Sequence, residues 1–561
     1  QAYCDEQPIF TGAKHLVGWK ACTSEPAGLP DTAKAKLWYC DIPAALKGKW
    51  QITSLYDGTT MLPRCSSDEL RLANTQMPED YNRQPKELMR KLKPDHPPVT
   101  FSREFHFQGH DLRAWATPGD IEIFIRPTHR WLVNILPLAR VDPATKTAWL
   151  AVVPTYHFSP GNAYRVENAI EYLDQPGEWV FNSAEGRLYL WPKRPLAQCD
   201  IRAPFLQEFI RVAGIEDKTP VRFVNFQGLH FRHGLRDTWH EGDKGLQHDW
   251  EMYDKGNAIL RFRQAEDCAV RACDFSSSSG SGVRLDLHCQ RITVADNRLN
   301  YLGGTGIVLS GYAPGTKDEN HDNVVTNNLI HHVGEIYWHA PGIFIAQSGR
   351  NLLSHNTVHD LPYNGMVISG CRPHEFILHR PLANRREWVS SLRLVECQPF
   401  IDKAVAQGNP LDINIYEPLL HARANRIEHN EIYRVMLRLG DGNGIYFSAM
   451  GNHNIVRQNY LHDIHGDRGY IRLDDNSSPT VIVENVGVRT SMMFVMKGPG
   501  EYRNNFAIDC ARMTNKKWAE TRLDRVIYFT SAKGASNSRK RGIKGNTESQ
   551  IFDEFECVSN S

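Results

Sequence analysis

Residues 439–448 read LGDGNGIYFS, and residues 469–478 read GYIRLDDNSS. Each stretch joins a glycine-marked turn to a short strand in which apolar and polar residues alternate, and each places carboxylates beside that strand. Between them, Asn459 begins another strand pattern, NYLHD. This spacing predicts two successive rungs of a coil, with their acidic side chains on one face.

Two patterns recur along the chain up to and including these stretches. One is an asparagine followed two positions later by an aliphatic residue, and the other is a glycine that begins a short apolar strand. Neighbouring copies are mostly 23 to 31 residues apart, a period typical of solenoids in which each repeat is one coil. The asparagines are Asn297, Asn328, Asn356, Asn430 and Asn459, and the glycines are Gly282, Gly306, Gly342, Gly365, Gly444 and Gly469.

A right-handed parallel β-helix accounts for both patterns. Alternate strand residues point into a narrow core, and asparagines at the turns tolerate the left-handed conformation and can form ladders between coils. The leucine spacing of leucine-rich repeats and the 3.6-residue period of helical repeats are both missing. The sequence therefore predicts an all-β chain in which residues 216–525 form a right-handed parallel β-helix solenoid.

The regions outside the repeat have different patterns. Residues 1–215 contain short β-rich runs broken by proline and glycine, such as IEIFIR at 121–126, which predicts a β-sandwich-like accessory domain packed on the solenoid. An insertion at 371–424, with a helix-like part, projects from one face of the solenoid. It either walls a binding cleft or covers an edge. Residues 526–561 are predicted to form a C-terminal cap or tail.

Composition excludes several classes of protein. The 65 basic and 64 acidic residues give a net charge of +1. The chain therefore lacks the strong positive electrostatic field that is typical of nucleic-acid-binding proteins. No apolar run reaches the ~18 residues of a membrane helix. The twelve cysteines form no paired zinc motif. Their even number favours disulfides, with Cys371 and Cys397 able to staple the insertion, and a secreted or periplasmic protein.

The two opening stretches place a polar group on the outer face of the solenoid. Adjacent coils stack ~4.8 Å apart, so outward residues of neighbouring strands are within hydrogen-bonding reach. An acid, an arginine and a tyrosine thereby meet on one exposed sheet face, which predicts a binding site. The inward residues are Ile445, Phe447, Ile471 and Leu473, and the outward residues are Tyr446, Ser448, Arg472 and Asp474.

The carboxylates around this face suggest a reaction. Straight stacking of the coils places Asp441 over Asp467, whereas a glycine turn that curls over the sheet brings Asp441 to Asp474. Geometry alone leaves the second carboxylate open among Asp474, Asp475, Asp467 and Asp463. Two carboxylates beside a cleft, one protonated and one ionised, are what glycoside hydrolysis requires.

The sequence contains no motif that is typical of other kinds of catalytic site. Many of the 24 histidines lie at strand ends, and His465, between the two acidic stretches, is the candidate for contact with a substrate. No set of His, Asp and Glu has metal-ligand spacing, so we predict no metal and no other cofactor. A structural Ca²⁺ ion is compatible with the sequence but is not predicted. A Walker loop, a dinucleotide fingerprint within a βαβ unit and a nucleophile elbow are also missing.

Three segments resemble a known group of enzymes. These are PIFTGAKHLVGWK at 8–20, YRVENAIEYLDQPGEWVFNSAEGRLYLWP at 164–192, and the pair LGDGNGIY and YIRLDD. Together they resemble the right-handed β-helix glycoside hydrolases of families 120 and 141, whose activities include β-xylosidase, xylanase and α-L-fucosidase. The resemblance covers most of residues 8–510.

The resemblance implies that two acidic residues on neighbouring coils carry catalysis. On the matching motifs these are Asp441 and Asp474, with Asp475 as the alternative to Asp474. The residues expected to bind the sugar are Tyr446, Arg472, His465 and Asp467.

The sequence therefore predicts an exported glycoside hydrolase that acts on a plant or algal polysaccharide or its oligosaccharides, without a nucleic-acid or membrane partner. Two rival functions use the same residues. A β-helix polysaccharide lyase would abstract a proton beside a uronate carboxylate with Arg472 or Tyr446, and a non-catalytic solenoid would only bind carbohydrate.

Overall fold

The chain folds into a long solenoid with an antiparallel β-domain packed against it. The computed structural model describes residues 2–3, 6–75, 102–152, 154, 158–237, 257–372, 393–466, 469–510, 521–524 and 527–529.

Three long parallel sheets run the length of the solenoid, and each coil contributes one short strand to each sheet. This arrangement confirms the predicted right-handed parallel β-helix. Sheet 1 contains Ile9–Thr11, His230–Arg232, Asp274–Ser278, Arg298–Leu302, Leu329–Val333, Thr357–His359, Glu431–Tyr433, Tyr460–His462, Val486–Val488, Phe506–Ile508 and Ile527–Phe529. Sheet 2 contains Ile210–Ala213, Ala258–Glu266, Ser281–Gln290, Ile307–Ser310, Ile343–Ala346, Met366–Ser369, Ile445–Ser448, Ile471–Leu473 and Phe494–Met496, with Val221–Arg222 and Asn320–His321 paired at its side. Sheet 3 contains Asn225–Gln227, Ala269–Arg271, Thr293–Ala295, Val324–Thr326, Leu352–Ser354, Arg426–Glu428, Asn454–Arg457, Thr480–Val483, Gly500–Arg503 and Arg522–Asp524.

The strands alternate between core and outer face as the sequence predicts. Ile445, Phe447, Ile471 and Leu473 lie in one continuous core cluster that extends along the solenoid. Tyr446 pairs in register with Arg472 on the outer face of sheet 2. The period of two in a strand therefore places Tyr446 and Arg472 outside the core.

A column of glycines explains the second repeat signal. Gly306, Gly342, Gly365 and Gly444 directly precede successive strands of sheet 2, and Gly282 is the second residue of the strand before them. From Gly282 to Gly365, each glycine stacks on the backbone of the next one in this column. A Cβ atom on Gly306 would lie 2.6 Å from the carbonyl oxygen of Gly342. Only glycine allows the coils to approach this closely at the entrance to sheet 2.

Buried asparagines form two ladders between the coils. In each rung the side-chain Nδ2 donates to Oδ1 of the asparagine one coil later, as from Asn356 to Asn430 at 3.0 Å. The same Oδ1 accepts the backbone N–H of Asn356 at 3.0 Å. Because these turns are buried and closed to water, the side-chain amides supply the hydrogen-bond partners that the backbone groups need. One ladder is Asn297, Asn328, Asn356, Asn430, Asn459, Asn485 and Asn505, and the other is Asn323, Asn351, Asn425 and Asn454.

The antiparallel domain consists of one seven-stranded and two four-stranded sheets. The seven strands, in spatial order, are Leu70–Arg71, Ala163–Glu167, Glu122–Ile125, Asn134–Asp142, Thr147–Leu150, Glu104–His106 and Asn74–Thr75. The four-stranded sheets contain Trp179–Asn182, Arg187–Leu190, Trp38–Asp41 and Lys20–Ala21, and Ala13–His15, Ile201–Pro204, Tyr56–Asp57 and Thr60–Met61. Short 3₁₀ turns lie at Asp31–Ala33, Ala44–Leu46, Pro118–Asp120, Ile170–Tyr172 and Leu196–Gln198. Two strands before residue 216, Ile9–Thr11 and Ile210–Ala213, pair with the solenoid.

The described part of the insertion covers the outer face of sheet 2. It contains the helices Leu394–Ala406 and Ile413–Tyr416 and the 3₁₀ turn Glu417–Leu419. Cys397, Ala404 and Tyr416 pack on Phe344 and Val367, which point outward from sheet 2. The insertion therefore covers an apolar stretch of this face and ends beside Tyr446, which belongs to the same apolar cluster. Residues 373–392 of the insertion lie outside the described residues.

The predicted disulfides are wrong for the described part of the chain. Its ten cysteines are free thiols, so Cys371 and Cys397 do not staple the insertion. Most are buried singly in the cores, as are Cys268, Cys273 and Cys289. A buried thiol packs as a small apolar side chain, and an even count of such residues does not imply pairs. Cys4 and Cys557 lie outside the described residues.

Two further expectations concern the ends of the chain and membranes. The proposed cap at 526–561 lies outside the described residues except for the strand Ile527–Phe529, which pairs with sheet 1. None of the helices in the described ranges is long and apolar enough to cross a membrane.

Candidate active site

Asp441 lies in a tight turn that leads from sheet 1 into the sheet 2 strand Ile445–Ser448. Its backbone has a left-handed φ of 59°. The next residue must be glycine, because a Cβ on Gly442 would lie 2.4 Å from Oδ1 of Asn364. Asn443 then anchors the turn: its N–H donates to Oδ1 of Asn364 at 2.6 Å, and its Nδ2 donates to the carbonyl oxygen of Gly469 at 2.9 Å. The turn is thus fixed to the coils on both sides.

The antiparallel domain also contacts this turn. The N–H of Gly440 donates to the carbonyl oxygen of Arg130 at 2.9 Å, and the Arg130 side chain packs against Gly440. Asp441 therefore lies where the solenoid meets the accessory domain.

Arg472, on the neighbouring strand, joins two aspartates. Its NH1 group contacts the Oδ1 atom of Asp441 at 2.7 Å and the backbone oxygen of Asp441 at 2.9 Å. Its NH2 group lies 2.9 Å from Oδ2 of Asp474. One guanidinium thus bridges the two carboxylates, which makes Asp474 a neighbour of Asp441.

Asp474 is held by three donors. In addition to Arg472, the Lys497 ammonium lies 2.6 Å from its Oδ1 atom, and the Tyr446 hydroxyl donates to its Oδ2 atom. Burial alone would raise the pKa of Asp474, but the charges of Arg472 and Lys497 hold that pKa well below its ordinary value. Asp474 is therefore an ionised carboxylate.

Tyr446 keeps its proton. Burial, and next the negative charge of Asp474, raise the pKa of Tyr446 well above its ordinary value. The hydroxyl therefore acts as a hydrogen-bond donor, and the Arg472 guanidinium lies over its ring at 5.2 Å.

The site is buried, contrary to the exposed sheet face that the sequence predicts. The side chains of Arg472 and Asp474 are 4% and 6% exposed, and that of Asp441 is 22% exposed. The prediction was wrong because the insertion and the curled turn around Asp441 cover this end of sheet 2. Asp441 is accordingly the carboxylate of the pair that is open to a ligand.

The other predicted residues lie apart from this pair or outside the described chain. The Asp475 side chain is 58% exposed, and its Oδ1 lies 3.3 Å from Lys497. His465 is exposed on the turn before Gly469. Asp467 lies outside the described residues, so its stacking on Asp441 stays a prediction. Asp463 forms an ion pair with Arg489 at 2.6 Å and lies beside His462.

Lys497 was not predicted, although the repeat contains a signal for it. The strand Phe494–Met496 pairs in register with Ile471–Leu473, so Lys497 follows its strand at the position where Asp474 follows the strand before. Aligning the coils by their strand ends, rather than by their turns, identifies this cation. Arg372 was also missed; its guanidinium donates to Oγ of Ser448 at 3.1 and 3.2 Å.

In the described ranges, no group of three or more His, Cys, Asp and Glu side chains could hold a metal ion. The site contains a buried anion fixed by two cations and a tyrosine, next to a more exposed carboxylate. Such a pair can act in acid–base or nucleophilic chemistry.

Comparison with known proteins supports the fold. The family described as "Right handed beta helix region" matches residues 242–377. A solved structure titled "Glycoside hydrolase" is 16% identical over 97% of this chain and 86% of its own, with a TM-score of 0.60. The fold is a right-handed parallel β-helix. No curated protein matches the sequence.

Two other solved structures are less similar. The catalytic domain of a GH87 alpha-1,3-glucanase in complex with tetrasaccharides is 8% identical over 92% of this chain and 98% of its own, with a TM-score of 0.33. An alginate lyase from Paenibacillus sp. str. FPU-7 is 9% identical over 57% of this chain and 99% of its own, with a TM-score of 0.31.

Proposed function

We propose that the protein is a glycoside hydrolase that cleaves a plant or algal polysaccharide or its oligosaccharides with a pair of carboxylates, Asp441 and Asp474. The observation that carries the proposal is the Arg472 guanidinium, which contacts both carboxylates. Glycosidases use two carboxyl groups about 5 to 9.5 Å apart on either side of the scissile bond. A similar fold in a structure titled "Glycoside hydrolase" supports the same class.

The surroundings of the two carboxylates divide the two roles. Asp474 fits only the ionised role, because Arg472, Lys497 and Tyr446 all favour its charged form. We assign the other role, that of the general acid, to Asp441, whose more exposed side chain can meet the oxygen of the leaving group. Arg472 fixes the distance between the two groups, Tyr446 holds Asp474, and the exposed His465 is proposed to contact the sugar.

The rival lyase has less support. A tyrosine base must lose its proton, and the buried Tyr446 hydroxyl has a raised pKa and is occupied by Asp474. Arg472 is likewise engaged by two carboxylates. Export of the protein, which a polymeric substrate would require, is part of the proposal and is tested by cell fractionation.

The test compares Asp441→Asn, Asp474→Asn and Asp475→Asn with the wild type on a panel of polysaccharides, with analysis of products. We expect Asp441→Asn and Asp474→Asn to lose about 10³-fold or more in kcat/KM and Asp475→Asn, the exposed neighbour, to remain active. Full activity in Asp441→Asn would overturn the proposal. Unsaturated products that absorb in the ultraviolet would identify a lyase instead, and binding without turnover in the wild type would indicate a carbohydrate-binding solenoid.

A further inference from the structure

A cavity of about 810 Å³ lies between the accessory domain and the outer face of sheet 1. Strands of the accessory domain form one wall, and the sheet 1 strands Asp274–Ser278 and Arg298–Leu302 form the other. Arg438, at its edge, precedes Asp441 by three residues in the same turn. The cavity therefore lies beside the candidate active site but is built from other residues.

Arginines dominate the lining of this cavity. Six arginines line it against three carboxylates, Glu167, Asp274 and Glu335. Burial raises the pKa of Glu167. The six arginines are Arg64, Arg165, Arg232, Arg236, Arg298 and Arg438.

A buried carboxylate of the accessory domain neutralises part of this positive charge. Glu122, buried in the accessory domain, accepts from both Arg64 and Arg236. Burial alone would raise the pKa of Glu122, but the two arginines lower it to about 2. One carboxylate is thus shared by two guanidinium groups, and a net positive charge is left facing the cavity.

Several buried donors in the lining have no acceptor among the described residues. The Nε atom of Arg236 and the Nδ2 atom of Asn300 are both unpartnered, although each residue is only 4% exposed. Buried polar groups are normally satisfied, so these donors mark places where a ligand or water accepts hydrogen bonds. Arg232 adds a third unpartnered Nε atom.

An aromatic side chain completes the lining. The Trp338 ring lies under the Arg438 guanidinium at 4.7 Å and makes an edge contact with Phe124 at 4.8 Å. Tyr301, also in the lining, is half exposed and packs on His332 at 4.8 Å. Aromatic rings provide apolar surface for the face of a ligand, and guanidinium groups bind carboxylate or sulfate in a bidentate manner.

We propose that this cavity binds an acidic sugar residue, one that carries a carboxylate or a sulfate group. The arginines and the unpartnered donors bind the anionic group, and Trp338 and Tyr301 contact the sugar ring. The inference rests on the proposed function insofar as the acidic residue belongs to the glycan that is cleaved at Asp441. Because Arg438 and Asp441 share one turn, a chain bound in the cavity extends towards the candidate active site.

The test uses the full chain and three monosaccharides: D-glucuronate, D-glucose 6-sulfate and D-glucose. Binding is measured by saturation-transfer NMR titration. A monosaccharide has no glycosidic bond, so the result does not depend on hydrolysis, and Asp441→Asn is expected to bind as the wild type does. We expect at least one acidic sugar to bind about tenfold or more tightly than glucose. Comparison of the two acidic sugars shows which anionic group the cavity takes.

Charge-removing variants locate the binding. The double variant Arg232→Gln, Arg298→Gln is expected to bind the preferred acidic sugar as weakly as glucose. Arg438→Gln, at the exposed rim, is expected to weaken it severalfold and serves as the second variant if the double variant does not fold. Arg271→Gln, an exposed arginine on sheet 3, is the matched control and should leave binding unchanged.

Three results would overturn the inference: equal binding of glucose and the acidic sugars, unchanged binding in the arginine variants, or equal weakening in Arg271→Gln. Loss of hydrolysis in Asp441→Asn with unchanged binding of the acidic sugar would support both proposals. Hydrolysis that survives in Asp441→Asn would overturn the proposed function alone.

Discussion

Arg472 contacts Asp441 at 2.7 Å with one guanidinium nitrogen and Asp474 at 2.9 Å with the other. The two aspartates lie in different turns, 33 positions apart in the sequence, and the arginine holds them to one geometry. A planar, bidentate cation suits this role better than a lysine, which presents a single point charge.

Replacement of Arg472 should therefore affect both stability and activity. Arg472→Met leaves Asp474 buried with one cation fewer, and we expect the free energy of unfolding to fall by about 3–5 kcal/mol. Arg472→Lys keeps the charge but cannot bridge both carboxylates, so it should fold and lose about tenfold or more in kcat/KM. Urea denaturation and kinetics measure the two effects.

The matched control is Arg457→Met. Arg457 has a side chain that is 40% exposed and forms a 2.6 Å ion pair with Glu428, and Glu428 keeps a second ion pair with Arg426 at 2.8 Å. A partly exposed pair of this kind contributes at most about 1 kcal/mol. Equal losses in Arg457→Met and Arg472→Met would contradict the special position of Arg472.

Lys497 should control the acid sensitivity of Asp474. The folded pKa of Asp474 lies below its ordinary value of 3.8, so Asp474 stabilises the fold above pH ~4 and this stability is lost as pH falls towards the folded pKa. Lys497→Met removes one of the cations that lower the pKa, so both the unfolding curve and the acid limb of the activity profile should move to higher pH. Lys497→Arg keeps the charge and should shift neither; a shift as large as that of Lys497→Met would be evidence against an electrostatic cause.

The asparagine ladders predict a large cost for removing one amide. Asn430→Ala leaves the N–H of Asn356 and the carbonyl oxygen of Leu353 without their partner. Each unsatisfied buried group costs about 1–3 kcal/mol, so we expect a loss of about 2–4 kcal/mol in urea denaturation. The exposed Asn409 provides the control, and Asn409→Ala should change stability by less than about 0.5 kcal/mol. A similar small change in Asn430→Ala would show that the ladder is not a source of stability.

His339 should make the protein sensitive to mild acid. It is buried without a hydrogen-bond partner among the described residues, and burial lowers its pKa from 6.5 to about 3. In the unfolded chain His339 binds a proton below pH ~6.5, whereas in the folded chain it does so only near pH 3. The free energy of unfolding is therefore highest above pH ~6.5 and decreases as the pH is lowered. The expected slope from this group is up to about 1.4 kcal/mol per pH unit.

The variant His339→Phe removes this titration, so the free energy of unfolding should depend less on pH between 4 and 6. The exposed His465 is the control, and His465→Gln should keep the slope of the wild type. An unchanged slope in His339→Phe would show that other groups cause the acid sensitivity.

The fold follows from the sequence because one coil resembles the next. Glycine at the entrance to sheet 2 and asparagine at the turns are required by contacts between adjacent coils, so the same residue types recur at Gly306 and Gly342 or at Asn328 and Asn356. The alternation of Ile445, Tyr446 and Phe447 then separates core from outer face without further information.

The burial of the site does not follow from the sequence in the same way. Tyr446 and Asp474 are covered by segments whose position depends on tertiary packing. The periodic pattern of the repeat does not predict which part of the solenoid an insertion covers. The bridge through Arg472 depends on the turn at Asp441, which curls over the sheet and brings Asp441 to Asp474. Straight stacking of the coils would instead place Asp441 over Asp467. The free cysteines show a related limit, since a count of residues says nothing about which of them lie close together.

The side-chain amides of both ladders all point the same way, each donating to the coil that follows it in the sequence, from Asn297 to Asn328 and onward. Aligned amide dipoles add, and each hydrogen bond in a chain strengthens its neighbours. The solenoid is therefore electrically polarised along its axis. A rung in the middle is polarised from both sides and a rung at an end from only one, so the coils should loosen from the two ends inward.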